Sequence, residues 1–341
     1  MAPPGRCPPI CEKMGPMTRL RILTATLAIA VLASACTGSS TPGPTASSGA
    51  DTTFAMQVAS GDLYVGPPQD LEVGIQHSNG QGVQLVTFGT LKLHLDYLGA
   101  GGSGQPVPKG DATATYLAAP GTTPDAPAPV LSNPSDARGV YLARDMTFDQ
   151  AGTWRATVTV DVGGSGMQTL TAAFPVNTTP VLPAPGQKAI PVDNPIIGAK
   201  GVPAGAIDSR AQGGAKIPDP ELHQTTIRAA MAQHRPILAI FSTPVYCQSQ
   251  FCGPATDAVQ SLAKQYADRA VFVHVEIYRK YSSSGAVINK AAAAWLYRNH
   301  DLTEPWLYLI GADGTILNRW GPLFDPATVG QDLAKLPKMA H

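Results

Sequence analysis

Hydrophobic periodicity changes character near residue 219, and that break constrains the fold more than any other feature of the 341-residue chain. Upstream of it, apolar residues alternate with others in Leu71, Val73 and Ile75, in Leu91, Leu93 and Leu95, and in Trp154, Ala156, Val158, Val160 and Val162. Successive side chains of a strand point to opposite faces, so a period of two marks strands that bury one face. Turn signals separate the runs at Asn79–Gly80 and in the glycine-rich stretch 99–104, and Met167 to Val176 reads as the hairpin partner of the strand before it. No helical period appears between residues 51 and 180. Short strands at turn-punctuated spacing imply an antiparallel β-sandwich over 51–180.

Downstream, strands and helices alternate. Asp219–Pro220–Glu221 has the order of a helix start, a capping acid followed by Pro at the first helical position, and the helix is expected to run to about Gln233. Pro236 to Phe241 reads as a short buried strand, Ala255 to Tyr266 as an amphipathic helix and Ala270 to Tyr278 as a central strand. A helix over Ala291–Asn299, a hairpin of 306–310 with 315–320, and a closing helix over Asp325–Leu336 complete an α/β unit at 219–338. Residues 181–218 are rich in Pro, Gly and Ala and are expected to form an extended linker between the two parts, in which the apolar Ile190, Val192, Ile196 and Ile197 leave open that part of it packs along one domain.

The stretch Phe148 to Trp154 resembles the corner before a late strand of immunoglobulin-like domains. His77 and His94 are lone histidines near strands, read as surface or satisfied structural side chains. With 24 basic and 24 acidic residues the net charge is zero, which gives no electrostatic footprint for nucleic acid and no polybasic membrane patch.

The N-terminus carries targeting information. Arg19 and Arg21 precede an apolar run, Ile22 to Leu32, and small residues lead to Cys36. That is the pattern of a signal peptide, and the run is shorter than the roughly 20 residues that span a bilayer. Cys36 after small residues resembles the bacterial lipobox, although Leu32 lies one position early. The resemblance implies lipidation of Cys36, with 1–36 as signal and lipobox, 37–50 as a flexible tether, and the extracytoplasmic face of the cell membrane as the location. Residues 1–16 do not read as part of a signal, and translation from Met14 or Met17 would exclude Cys7 and Cys11.

The exported part then keeps two cysteines, Cys247 and Cys252, an even pair that ordinarily forms a disulfide in an oxidising compartment. They lie between a strand and a helix, in a segment ending Phe251–Cys252–Gly253–Pro254, and Glu304–Pro305–Trp306 precedes the hairpin. These features resemble the thioredoxin family across 219–338. The resemblance implies a redox-active Cys pair, a cis peptide bond before Pro305, and Tyr246, Phe251, Gly253, Pro254 and Trp306 around the site. A cysteine in the first turn of a helix faces free N–H groups and the positive end of the dipole, which favours its thiolate. The family's Cys-Gly-Pro-Cys is altered here, because Ala255 stands where the second cysteine belongs. Two registers follow: Cys252 as nucleophile resolved by Cys247, which the match to Cys-Gly-Pro favours, or the reverse. Either requires Cα atoms about 4.4–6.8 Å apart.

The expected activity is thiol–disulfide exchange with exported proteins or a redox partner, with Pro305 facing the substrate and no cofactor or resident metal. The competing class is a non-catalytic binding or scaffold lipoprotein in which the disulfide is a staple. Thr243–Pro244 ahead of the cysteines is also similar to some peroxiredoxins, but no Arg stands where that family stabilises its thiolate. Copper-delivery relatives of thioredoxin use two close cysteines and a distant His, for which His300 or His274 could serve; otherwise His274 and Glu276 read as a solvated or hydrogen-bonded strand face.

Overall fold

A computed structural model describes residues 53–120, 122, 126–162, 165–247, 249–299 and 301–339. The segments read as signal, lipobox and tether, with Cys7, Cys11 and Cys36, lie outside the described residues, as does His300. Among the described residues no helix is long and apolar enough to cross a membrane.

The first half is β. Strands β1 (Thr53–Val58), β2 (Gln69–Ser78), β3 (Val83–Thr87), β4 (Thr90–Tyr97), β5 (Val107–Ala118), β6 (Val130–Ser132), β7 (Gly139–Met146), β8 (Gly152–Asp161) and β9 (Met167–Val176) form one antiparallel sheet. Its order is β6-β3-β2-β7-β5-β4-β8-β9, with β1 paired to β2. The strands follow one continuous hydrogen-bonded path instead of two separate sheets, because the long β5 pairs with β4 along one part and with β7 along the other. The alternating residues of β2, β4 and β8 are buried in one core with Tyr141, Phe148 and Phe174. Phe148 meets Trp154 edge-on at 5.0 Å, and the indole N–H of Trp154 donates to the Gln150 carbonyl. The expected hairpin is present, with Gly152 opposite Val176 and Asp161 opposite Met167.

The second half centres on a mixed sheet, β11-β10-β16-β17, made of β10 (Ile237–Ser242), β11 (Val271–Glu276), β16 (Trp306–Ile310) and β17 (Ile316–Trp320). Strand β10 runs parallel to β11 and antiparallel to β16. All six residues of β10 are buried, which is why it reads as a continuous apolar run instead of an alternation. Ile237, Ala239 and Phe241 face helices α1 (Ile227–Ala232) and α3 (Lys290–Leu296), while Leu238 and Ile240 face α2 (Cys252–Tyr266) and α4 (Pro326–Lys335). A hairpin of β12 (Tyr278–Ser282) with β13 (Gly285–Ile288) projects between β11 and α3, and two-residue strands β14 (Tyr297–Arg298) and β15 (Asp301–Leu302) follow.

Several boundaries differ from expectation for local reasons. The helix foreseen over 219–233 is a 3-10 turn at Pro220–His223 followed by α1, because Thr226 starts a new helix by accepting from the Ala229 amide. Asp219 makes no capping bond; its carboxylate pairs instead with Arg210 and His223. Helix α3 stops at Leu296 and the chain turns at Asn299, whose φ is +51°. The segment 181–218 is no free spacer. Leu182, Ala189 and Val192 are buried against the mixed sheet, and Gln187 and Ala189 exchange backbone hydrogen bonds with the β16–β17 hairpin. Its apolar side chains and peptide groups find partners there that an extended spacer would leave in water. Trp295, fully buried, donates to the Ile190 carbonyl of this segment.

Buried ionic contact joins the two halves. Arg319 of β17 reaches Asp62 through Nη1 at 2.8 Å and its backbone carbonyl through Nη2 at 2.8 Å. Phe251, next to the disulfide, packs toward Ala119, Val140 and Leu323.

Candidate functional site

The cysteines occupy the connection from β10 to α2. Ser242 ends β10 with its hydroxyl 2.7 Å from that of Thr256, and Thr256 donates to the Cys252 carbonyl one helical turn back. Strand end and helix start are thereby tied. Between them the Tyr246 and Cys247 amides donate to the Thr243 carbonyl, closing a turn, and the Val245 amide donates to Ser209 Oγ. Helix α2 begins at Cys252, so Gly253 and Pro254 lie in its first turn, where Pro lacks only an N–H that would have had no helical acceptor.

Cys247 and Cys252 form a disulfide with their Cα atoms 5.9 Å apart. The two sulfurs have different surroundings. Cys252 is fully buried, whereas Cys247 is half-buried and carries the polar contacts. The Cys252 amide donates to Cys247 Sγ at 3.3 Å, and Ser249 Oγ lies 3.2 Å from the same sulfur. Helix-start stabilisation therefore acts on Cys247, while the residue favoured as nucleophile from the Cys-Gly-Pro match, Cys252, has no solvent access.

Pro305 and Trp306 are buried beside this loop, and the Glu304–Pro305 bond is cis. The Glu304 carboxyl and both sulfurs lie within 4.8 Å of one another. Its Oε2 is buried without a hydrogen-bond partner. Burial, aided by the nearby charge of Glu276, pushes Glu304 up to about 7, so its proton exchanges near neutrality. In sequence Glu304 is marked only as the residue before Pro305; an acid beside a proline expected to face the cysteines is the available signal. A cavity of about 450 Å³ borders the group, with walls from Gly61, Ser249, Phe251, Glu304, Pro305 and Trp306.

Phe251 and Trp306 are among the walls of this space. Tyr246 turns elsewhere, stacking on Tyr281 at 4.3 Å and meeting Tyr278 edge-on. The histidines near strands are satisfied: His77 is against Phe54 and Gln84, and His94 sits between Asp96 and Asp111. His274 and Glu276 are not on a solvated face. Both are buried, because the segments around Ser209 and His223 cover that side of β11. Glu276 accepts the Ser209 and Tyr278 amides, and His274 faces Asp208 and Asp219.

Comparison with protein-family models, with curated proteins and with solved structures returned no match.

Proposed function

We propose that the protein is a thiol–disulfide oxidoreductase of thioredoxin-like design, acting on exported proteins from a lipid anchor at Cys36. The observation that carries the reading is the asymmetry of the pair: a half-exposed Cys247 sulfur under a helix-start amide, backed by a buried Cys252 and an acid close to both. The strand–loop–helix setting and Pro305 beside the loop also fit a thioredoxin-like domain joined to an immunoglobulin-like β part.

In the reduced protein, the Cys247 thiolate attacks one sulfur of a substrate disulfide. A Cys247–substrate bond forms, the substrate S–S bond breaks, and the departing thiolate takes a proton. Cys252 then gives its proton to the Glu304 carboxylate and attacks Cys247 Sγ, which releases the second substrate thiolate and restores the internal disulfide. Run backwards, the same steps oxidise a dithiol substrate. The Cys252 amide at Cys247 Sγ serves both directions, with Cys247 as nucleophile and as leaving group. The cavity beside Glu304 and Trp306 offers room for an extended peptide segment.

The reduction potential of the pair tests the reading. Equilibration in graded thiol buffers, read by mass spectrometry, should place it above about −230 mV, among exchange-competent disulfides. A value below about −300 mV would mark a staple, the alternative favoured by the full burial of Cys252, and would end the enzymatic proposal. Lipidation is tested separately: Cys36→Ala should release the protein from membranes.

A further inference from the structure

The second group of chemistry-bearing side chains lies away from the disulfide, where the 3-10 segments cover β11. Asp208 precedes the turn Ser209–Gly214, Asp219 and His223 bracket the turn Pro220–His223, and His274 sits in β11 opposite Ile240. All four are fully buried. His223 Nε2 is 3.2 Å from Asp219 Oδ1 and 3.8 Å from Asp208 Oδ2. His274 Nδ1 is 3.6 Å from Asp208 Oδ2 and 3.9 Å from Asp219 Oδ2.

We propose that Asp208, Asp219, His223 and His274 form a closed, four-coordinate site for a divalent transition-metal ion of the zinc type, structural in role.

Three features support the assignment. The first is spacing. Ligands about 2.0–2.2 Å from a tetrahedral ion stand about 3.3–3.6 Å from one another. The separations above bracket that edge, and one donor atom from each residue fits within 4.8 Å of all the others.

The second is an unpartnered nitrogen. His274 Nε2 lies 3.3 Å from the Ser242 carbonyl, which accepts only if that nitrogen carries the proton. In the neutral ring Nδ1 then presents its lone pair to two carboxylates, and it makes no hydrogen bond although it is buried. A lone pair aimed at two anions is repulsive until a proton or a metal cation stands between them. The Ser242 carbonyl is also the second-shell acceptor that commonly orients a metal-bound imidazole.

The third is charge. Arg210 binds Asp208 Oδ2 at 2.6 Å and Asp219 Oδ2 at 2.7 Å, and its Nη1 reaches Asp257. These three carboxylates balance Arg210 together with one divalent ion. Two imidazoles and two carboxylates, without a thiolate, suit zinc better than copper(I) or calcium, and four protein donors leave no open position for catalysis.

The consequence is mechanical. The site would fasten the segment from Asp208 to His223 to β11. Its neighbours Ser209 and Ser242 hold the loop that carries Cys247, through the Val245 amide and through β10 itself. The proposal does not depend on the redox reading.

The test uses the purified oxidised protein, whose Cys247 and Cys252 are joined and cannot ligate. After chelator treatment it is titrated with Zn²⁺, and separately with Co²⁺ as a spectroscopic probe. The expected results are one bound ion per chain, a higher Tm with Zn²⁺, and the visible bands of four-coordinate Co²⁺ without a thiolate charge-transfer band. His274→Gln should abolish all three, and Cys247→Ser/Cys252→Ser should abolish none. Absence of binding by the folded wild-type protein overturns the proposal, as does binding that survives in His274→Gln. If that variant does not fold, NMR of the wild-type imidazoles decides: Zn²⁺ must shift His223 and His274 and leave His77 and His94 in place.

Discussion

The backbone amide of Cys252 donates to the sulfur of Cys247 across 3.3 Å, so the buried cysteine polarises the accessible one. Position in the helix and exposure to solvent are thereby divided between two residues. Cys252 holds the first helical position, while Cys247, five residues earlier in the loop, meets both the solvent and the helix N-terminus.

This division predicts unequal thiols. With Cys252→Ser, the remaining Cys247 should be alkylated at least about tenfold faster than the remaining Cys252 in Cys247→Ser, because only the former has solvent access and a helix-start amide at its sulfur. Mass spectrometry over an iodoacetamide time course measures both rates. The Cys252→Ser protein should also accumulate mixed disulfides with exported proteins. Equal rates, or a faster Cys252, would reverse the assigned order.

Glu304 should appear in the pH profile of exchange. Burial pushes it up to about 7, with the charge of Glu276 as the second cause. In the proposed exchange it accepts a proton from Cys252 as a carboxylate above that pH, and below it is already protonated. Reaction with a small disulfide should therefore speed up as pH rises through about 7. Glu304→Gln should lose that inflection and slow exchange by up to about 10²-fold. An unchanged profile in the variant would remove Glu304 from the chemistry.

Arg319 neutralises Asp62 where the two halves meet, and it stacks over the rings of Tyr64 and Trp306 at 5.2 and 5.0 Å. Arg319→Met should destabilise by about 3–5 kcal/mol, because it strands a buried carboxylate that retains only the Val181 and Leu182 amides. Adding Asp62→Asn should recover part of that loss, as read from urea unfolding. Additive effects of the two substitutions would mean that they do not act as a pair.

Glu72 gives the stability curve a definite slope. It is fully buried, and desolvation, with Asp70 next, pushes it up to about 8 from its ordinary 4.5, against the opposing Leu323 amide. The folded state holds a proton that the unfolded chain releases. Its contribution to stability is therefore complete below about 4.5 and is lost as pH rises through about 8. Glu72→Gln, always neutral, should flatten that decline and be more stable than wild type near pH 9 by roughly a few kcal/mol. Unfolding midpoints at several pH values measure it; parallel curves for the two proteins would count against a buried, protonated Glu72.

What the sequence determined by itself follows from local pattern. Leu71, Val73 and Ile75 had to share a face, the run 237–241 had to be buried on both faces, and Asp325 ahead of Pro326 had to start a helix, where it accepts the Ala327 amide. The pairing of Cys247 with Cys252 was legible because the segment after Cys36 holds no other cysteine. Exposure and charge environment were decided only by tertiary packing. No local pattern could reveal that Cys252 is sealed by its neighbours while Cys247 is not, or that Glu304 approaches both sulfurs from the segment ahead of β16. The segment 181–218 looked like a spacer because its composition is that of one; contacts with the mixed sheet, distant in sequence, gave its apolar residues a core. In sequence Asp219 reads as a helix cap and His274 as a strand residue or a lone candidate ligand, and nothing links them to Asp208 or His223. They became a cluster because covering β11 removed them from water together, and buried charges must find partners in one another or in an ion.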